Sequence, residues 1–208
     1  MRVLLIRHGE TDWNAAQRYQ GHGLVPLNAR GRAQAQALAG RLAAGPVIAG
    51  LVSSDLPRAA ETADIVGVAL GLAPRRHAGL REIDVGVWAG LTPAEVRQRF
   101  PEHRAAYDRD PVHTARLGGE SYAQVRRRSV AALSEIAAAA DGTVALVSHG
   151  GTIRVVLCHV LGLDLAHINR LWIDNCAICE VRRRGGAWSV ARINDAAHLE
   201  GDALADGE

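Results

Sequence analysis

Apolar residues along this chain follow two alternating rhythms. Short unbroken runs at Val3 to Ile6, Val47 to Val52 and Val144 to Val147 have no polar alternation, so they read as strands buried on both faces, the habit of a parallel sheet. Between them apolar residues recur at helical spacing. Ala33, Leu38, Ala39 and Leu42 follow a candidate N-cap at Asn28, and Gly45-Pro46 closes that helix. Ala59, Ala63, Val66 and Leu70 follow Ser53-Ser54-Asp55, which reads as a helix opening, and the first helical turn tolerates Pro57 because it has no donor to lose. Ser121 caps a longer helix with Val125, Leu133, Ile136 and Ala140 inward, and Ile153, Val156, Leu157, Val160 and Leu161 mark another after the third strand. Strands alternating with helices predict an α/β fold, with a parallel sheet covered by helices.

The remaining segments are less regular. Gly71 to Gly90 reads as irregular and short-stranded, and Pro93 to Pro111 as one or two short helices interrupted by Pro101. Residues 92–119 are the candidate cap over the carboxyl edge of the sheet. Two further strands are expected around Arg170 to Ile173 and Ile178 to Arg183, with a hairpin through Gly185-Gly186 into Trp188 to Ile193. An edge strand near Trp188 is a candidate for pairing across a homodimer. Residues 1–199 read as a single domain, and the small, acidic stretch 200–208 as a flexible tail.

Two of the buried runs end alike. Leu4-Leu5-Ile6 delivers Arg7-His8-Gly9-Glu10-Thr11, and Val144 to Val147 delivers Ser148-His149-Gly150-Gly151. A lone histidine at a strand end is usually a cap, but two strands ending in His-Gly suggest histidines converging where open α/β sheets bind ligands. Between them lie Ser53-Ser54-Asp55-Leu56-Pro57-Arg58-Ala59 and Leu80-Arg81-Glu82-Ile83. In this order the four segments resemble the signatures of the histidine phosphatase superfamily, in its phosphoglycerate-mutase-like branch. The resemblance runs from Arg2 to about Leu199. It implies a three-layer α/β/α sandwich with a mostly parallel sheet and a small helical cap. Gly118-Gly119-Glu120-Ser121 resembles the phosphatase members, of the α-ribazole phosphatase and broad-specificity type. The long insertion with a tyrosine and clustered prolines that cofactor-dependent mutases carry before His149 is missing.

Composition removes alternatives. The 208 residues suit one domain with a substantial core. No apolar run approaches the ~18 residues of a spanning helix. The amino terminus goes straight into a strand without an export signal, so the chain reads as cytoplasmic, with no membrane partner. Cys158, Cys176 and Cys179 are an odd count, and Cys176-Ala-Ile-Cys179 is half a zinc site with no second pair, so the thiols read as reduced core residues. All 24 basic residues are arginine, which excludes a Schiff-base lysine and a phosphate loop with its lysine. A formal charge of +2 is too small for a nucleic-acid surface. Arg126-Arg127-Arg128 and Arg182-Arg183-Arg184 read as solvated faces.

Brought together, the motifs supply Arg7, His8, Asn14, Arg58, Glu82 and His149. Forked guanidiniums match phosphate oxygens, so such a pocket suits a phosphoryl group. The resemblance implies that His8 is the nucleophile that carries the phosphoryl group, and that Glu82 is the proton donor. To donate near neutral pH, Glu82 must be protonated there, which partial burial or a transition-state partner can favour. Arg7, Arg58 and His149 are assigned to the phosphoryl charge, and Asn14 and the Gly150 amide to neutral donors, with Gln20 and Gly21 edging the pocket. Taken alone, Arg58 reads as a surface arginine and Glu82 as a partner for Arg81 or Arg76. An acidic residue common in the family after Gln-Gly is replaced here by His22-Gly23-Leu24-Val25. The expected activity is metal-independent, cofactor-free hydrolysis of a small phosphorylated metabolite. The rivals are a cofactor-dependent phosphoglycerate mutase, a metal hydrolase using His8, His149 and Glu82, and a non-catalytic phospho-ligand binding protein on the same fold.

Overall fold

In the computed structural model, residues 1–199 are described, and the tail expected at 200–208 lies outside them. Six strands, β1 (Arg2–Arg7), β2 (Ile48–Ser53), β3 (Arg75–Arg76), β4 (Thr143–Ser148), β5 (Ile178–Arg184) and β6 (Ala187–Asp195), form one sheet in the order β3-β2-β4-β1-β5-β6. The first four in that order run parallel, and β5 and β6 are antiparallel additions. The chain is therefore α/β with a mostly parallel sheet, and the hairpin turns at Gly185-Gly186 as its sequence predicts.

The unbroken apolar runs are explained by what covers them. Leu4 and Ile6 pack on one side with α2 (Ala29–Ala43) and α3 (Pro57–Leu70), while Val3 and Leu5 pack on the other with α6 (Tyr122–Ala138) and α7 (Gly150–Leu161). A strand sandwiched in this way has no face for polar residues. Thr11 caps the short α1 (Asp12–Ala15), Asn28 caps α2 by accepting from Gly31 N, and Ser121 forms a capping box on α6 with Gln124. A third cluster joins Trp88, Val96, Tyr122, Val125 and Val155, with α4 (Pro93–Arg99) and α5 (Pro101–Arg109) packed on it. Pro101 interrupts the helical stretch, as its position predicts.

Three expectations need correction. The inward stripe of α2 is Gly31, Ala35, Leu38, Ala39 and Leu42, and Ala33 faces solvent. Helix α3 begins at Pro57 rather than at Ser53, because Ser53 still belongs to β2 and the Ser54 hydroxyl turns the chain by accepting from Leu56 N. No strand forms at Arg170 to Ile173. A 3-10 turn over Leu165–Arg170 leads into an irregular segment whose Ile173 carbonyl accepts from the Arg7 guanidinium at 2.7 Å, so that carbonyl is not offered to a ladder. No helix among the described residues is long and apolar enough to cross a membrane.

Candidate active site

The register of the two central strands puts the histidines side by side. Arg7 pairs with Ser148 across β1 and β4, and His8 N continues the ladder by donating to Ser148 O at 3.0 Å. The next residues in register are therefore His8 and His149, whose ring centroids are 5.1 Å apart, about the spacing of adjacent strands. Both are buried, at 2% and 0% exposure.

One nitrogen of His8 is committed. Its Nδ1 lies 2.7 Å from the Gly9 carbonyl, which can only accept, so Nδ1 carries the proton and Nε2 keeps a lone pair. Arg58 Nε–H donates to that Nε2 at 3.2 Å, while its terminal nitrogens donate to Gly21 O and Gly23 O. Burial first, then the neighbouring Arg58 and Arg7 cations, hold His8 well below the ordinary imidazole value, so it is neutral at physiological pH. His149 is shifted the same way, by burial and then by Arg58 and His8, and both of its ring nitrogens lack a partner among the described residues. Arg58 itself is 1% exposed, far from a surface arginine, and burial brings it down to about 10. It therefore stays charged.

Glu82 is held by the start of a helix. Its Oε2 accepts from Gly151 N at 3.0 Å and its Oε1 from Thr152 N and Ile83 N, so the first turn of α7 grips the carboxyl group. A side chain at Gly151 would collide with Glu82 Oε1, which explains the second glycine of His149-Gly150-Gly151. The Gly150 amide makes no hydrogen bond to the described residues and is left at the cavity wall. Neither Arg81 nor Arg76 pairs with Glu82. Arg81 forks onto Asp55, joining the second signature to the third, and Arg76 bonds Asp64 and Ser53.

The backbone that carries Glu82 is pinned from behind by Arg128, a residue read from sequence as part of a solvated run. Arg128 donates to the carbonyls of Gly79, Arg81 and Glu82, and it pairs with Glu120, which in turn accepts from Asp84 N. His22 Nε2 lies 2.9 Å from Glu82 O, so the unusual loop His22 to Val25 braces the same segment.

A cavity of about 300 Å³ opens on this group. Arg7, His8, Asn14, Gln20, Gly21, Arg58, Glu82 and Gly150 all contribute to its wall, whereas His149 lies beside His8 outside the wall. The Asn14 amide oxygen is taken by Thr11 and Asn175, which leaves its N–H groups for a ligand. The wall also holds Arg18, Tyr19, Arg116, Tyr122, Arg154 and Trp172, which the sequence reading did not pick out. None of the six lies in one of the four motifs. Trp88 is a core residue between Tyr19, His103 and Tyr107, and Trp13 does not reach the cavity. Burial pushes Cys176 up to about 12 and Cys179 up to about 11, so neither is a thiolate at neutral pH. Among the described residues no group of three or more His, Cys, Asp or Glu is placed to hold a metal ion.

This fold and constellation define a class. The family model of the histidine phosphatase superfamily (branch 1) matches residues 3–196, and the chain belongs to that superfamily. Among curated proteins it is similar to a probable phosphoglycerate mutase, GpmB, of Salmonella paratyphi A, with 34% identity over 216 residues covering 98% of this chain and 97% of that one. Among solved structures it resembles a mycobacterial glucosyl-3-phosphoglycerate phosphatase complexed with VO3, with TM-score 0.83 and 34% identity, covering 93% of this chain and 98% of that one. The α-ribazole phosphatase of Shigella flexneri superimposes with TM-score 0.85 at 27% identity, covering 94% and 97% of the two chains.

Proposed function

We propose that the protein is a phosphomonoester hydrolase that passes the phosphoryl group of a small metabolite through Nε2 of His8. The observation that carries this reading is the His8 tautomer: Nδ1–H is tied to Gly9 O, and the Nε2 lone pair points at Arg58 within a cavity lined by guanidiniums. In the first half-reaction Nε2 forms a bond to phosphorus as the ester P–O bond breaks, and Glu82 as the acid gives its proton to the leaving alkoxide. Water then attacks phosphorus, the Glu82 carboxylate takes the water's proton, and the P–N bond breaks to return a neutral imidazole. Arg7, Arg58, the Asn14 amide and the Gly150 N–H gather the phosphoryl oxygens, with His149 adding a further donor. Gln20 and Gly21 shape the edge, and residues 92–119 serve as the cap. No resident metal or cofactor takes part in these steps.

The mutase reading shares the first half-reaction and is favoured by the naming of the Salmonella relatives. The two part at the second step, where a mutase must keep water from the phosphohistidine. Incubation with a phosphomonoester and quenching in base should trap an acid-labile phosphoryl group on His8, and His8→Ala should lose both trapping and turnover. Label on a serine, or label surviving in His8→Ala, would overturn the mechanism. With 3-phosphoglycerate the expected product is inorganic phosphate, or none if that acid is not a substrate. Rapid conversion to 2-phosphoglycerate stimulated by bisphosphoglycerate, with little phosphate released, would establish the mutase instead.

A further inference from the structure

Four of the five arginines in the cavity wall have no carboxylate partner among the described residues; the exception, Arg18, pairs with Glu95. Arg7 and Arg58 are enough to meet a phosphoryl dianion, which leaves Arg116 and Arg154 uncompensated. Arg116 is the unusual one. It is 4% exposed, yet it meets only neutral groups: Glu120 O at 3.3 Å, the Tyr107 hydroxyl at 3.1 Å, and the ring faces of Tyr107 and Tyr122 at 4.7 and 4.4 Å from its central carbon. Its Nε–H is buried with no acceptor among the described residues. A buried cation is ordinarily paired, and a buried donor ordinarily bonded. Two ring faces and two hydrogen bonds position this guanidinium, and it presents to the cavity only the part those contacts leave free. Arg154, on α7, is half-buried and bonded only to Gly150 O and, at 3.5 Å, to Asn169.

We infer that the cavity is built for a phosphomonoester whose alcohol part carries a second anionic group, a carboxylate or another phosphate, received by Arg116 with Arg154 on the same cavity wall. This rests on reading the Arg7–His8–Arg58 end as the phosphoryl site. Such a ligand meets the part of the Arg116 guanidinium that lines the cavity and neutralises both spare cations. Arg116 then determines specificity without entering the chemistry at phosphorus.

Matched pairs of esters test this. O-phosphoserine against O-phosphoethanolamine, and 3-phosphoglycerate against glycerol 3-phosphate, differ in a carboxylate; fructose 1,6-bisphosphate against fructose 6-phosphate differs in a second phosphate. In at least one pair kcat/KM should favour the doubly anionic ester by roughly 10- to 100-fold, the worth of one charge-assisted hydrogen bond. The pair that responds identifies the group. Arg116→Gln should reduce that ratio about tenfold, and Arg154→Gln by less, while Arg97→Gln, removing an exposed cation of α4 outside the cavity, should leave it unaltered. Equal rates within all three pairs, or a ratio unmoved by Arg116→Gln, would overturn the inference. Calorimetric binding of the same pairs to His8→Ala protein needs neither turnover nor a folded Arg116 variant. A preference there, with no hydrolysis of any ester by the unsubstituted enzyme, would refute the hydrolase reading and keep the second anion site, whereas hydrolysis by the unsubstituted enzyme without preference would do the reverse.

Discussion

At the strand-end half of the cavity, His8, Arg58 and Glu82 are each held by short hydrogen bonds to main-chain atoms; at the cap half, Arg116 has one longer main-chain bond, at 3.3 Å to Glu120 O, beside a tyrosine hydroxyl and two ring faces, and Trp172 stands 73% exposed. The first arrangement places an atom tightly, because short hydrogen bonds to main-chain atoms are directional. The second rests more on less directional contacts and tolerates a larger displacement. Phosphoryl transfer needs the tighter tolerance, since attacking and leaving atoms must lie in line. Reception of a distant charge does not. Substitutions in the strand-end half should therefore reduce the rate on every ester, and those in the cap half should reorder esters among themselves.

The sharpest break of this contrast is at Glu82. Glu82→Gln keeps the shape but cannot donate as a carboxylic acid, so turnover of alkyl esters should fall roughly a hundredfold or more. Esters with an acidic leaving group such as nitrophenolate should be hurt less, because their oxygen departs with less help. Equal loss on both kinds would mean that Glu82 is not the acid.

The same contrast explains what could be read from the chain. The strand-end half was legible because its side chains lie within contiguous motifs: Arg7-His8 at the end of β1, His149 after β4, Arg58 in the first turn of α3, and Glu82 in Leu80-Arg81-Glu82-Ile83. Even the pairing of Asp55 with Arg81 lies inside two of those motifs. The cap half was not legible, because Arg116, Arg154 and Trp172 are single residues that reach the cavity only through packing, and the irregular segment bearing Trp172 was expected to be a strand. Arg128 was hidden differently. It sits in a run of three arginines, and only the helical phase of α6 turns it inward while Arg126 and Arg127 face water. Attention to its spacing of three from the buried Val125 would have found it.

Arg128 also offers a smaller test. Arg128→Met removes the clamp on Gly79, Arg81 and Glu82, but Ser148 and Thr152 still hold the carbonyls of Leu80 and Arg81, and His22 that of Glu82. The loop should loosen rather than collapse, costing about tenfold in kcat on alkyl esters, in keeping with a slightly misplaced acid. Nitrophenyl esters should again be spared, and Arg128→Lys should recover part of the loss. A lower Tm with equal loss on both esters would make Arg128 a structural residue only.

The smallest expected effect concerns pH, and it asks whether the strand-end half is as dry as its burial implies. His8 and His149 are both depressed well below the ordinary value, with burial the largest cause. In the unfolded chain each takes up a proton near pH 6.5, whereas the folded protein holds both neutral there. Below that value the unfolded state therefore binds more protons, and stability must fall as pH falls. Above it the two histidines contribute no pH dependence. The loss should reach roughly 1 kcal/mol per histidine at pH 6 and continue until the folded protein itself protonates. Urea unfolding between pH 8 and pH 5.5 measures the slope, and His8→Gln should remove about half of the histidine contribution. In the folded protein the His8 ring resonance should keep its neutral shift down to pH 6. A His8 resonance titrating near 6.5 would mean that water reaches the ring freely, and the distinction between a dry strand-end half and an adaptable cap half would fail.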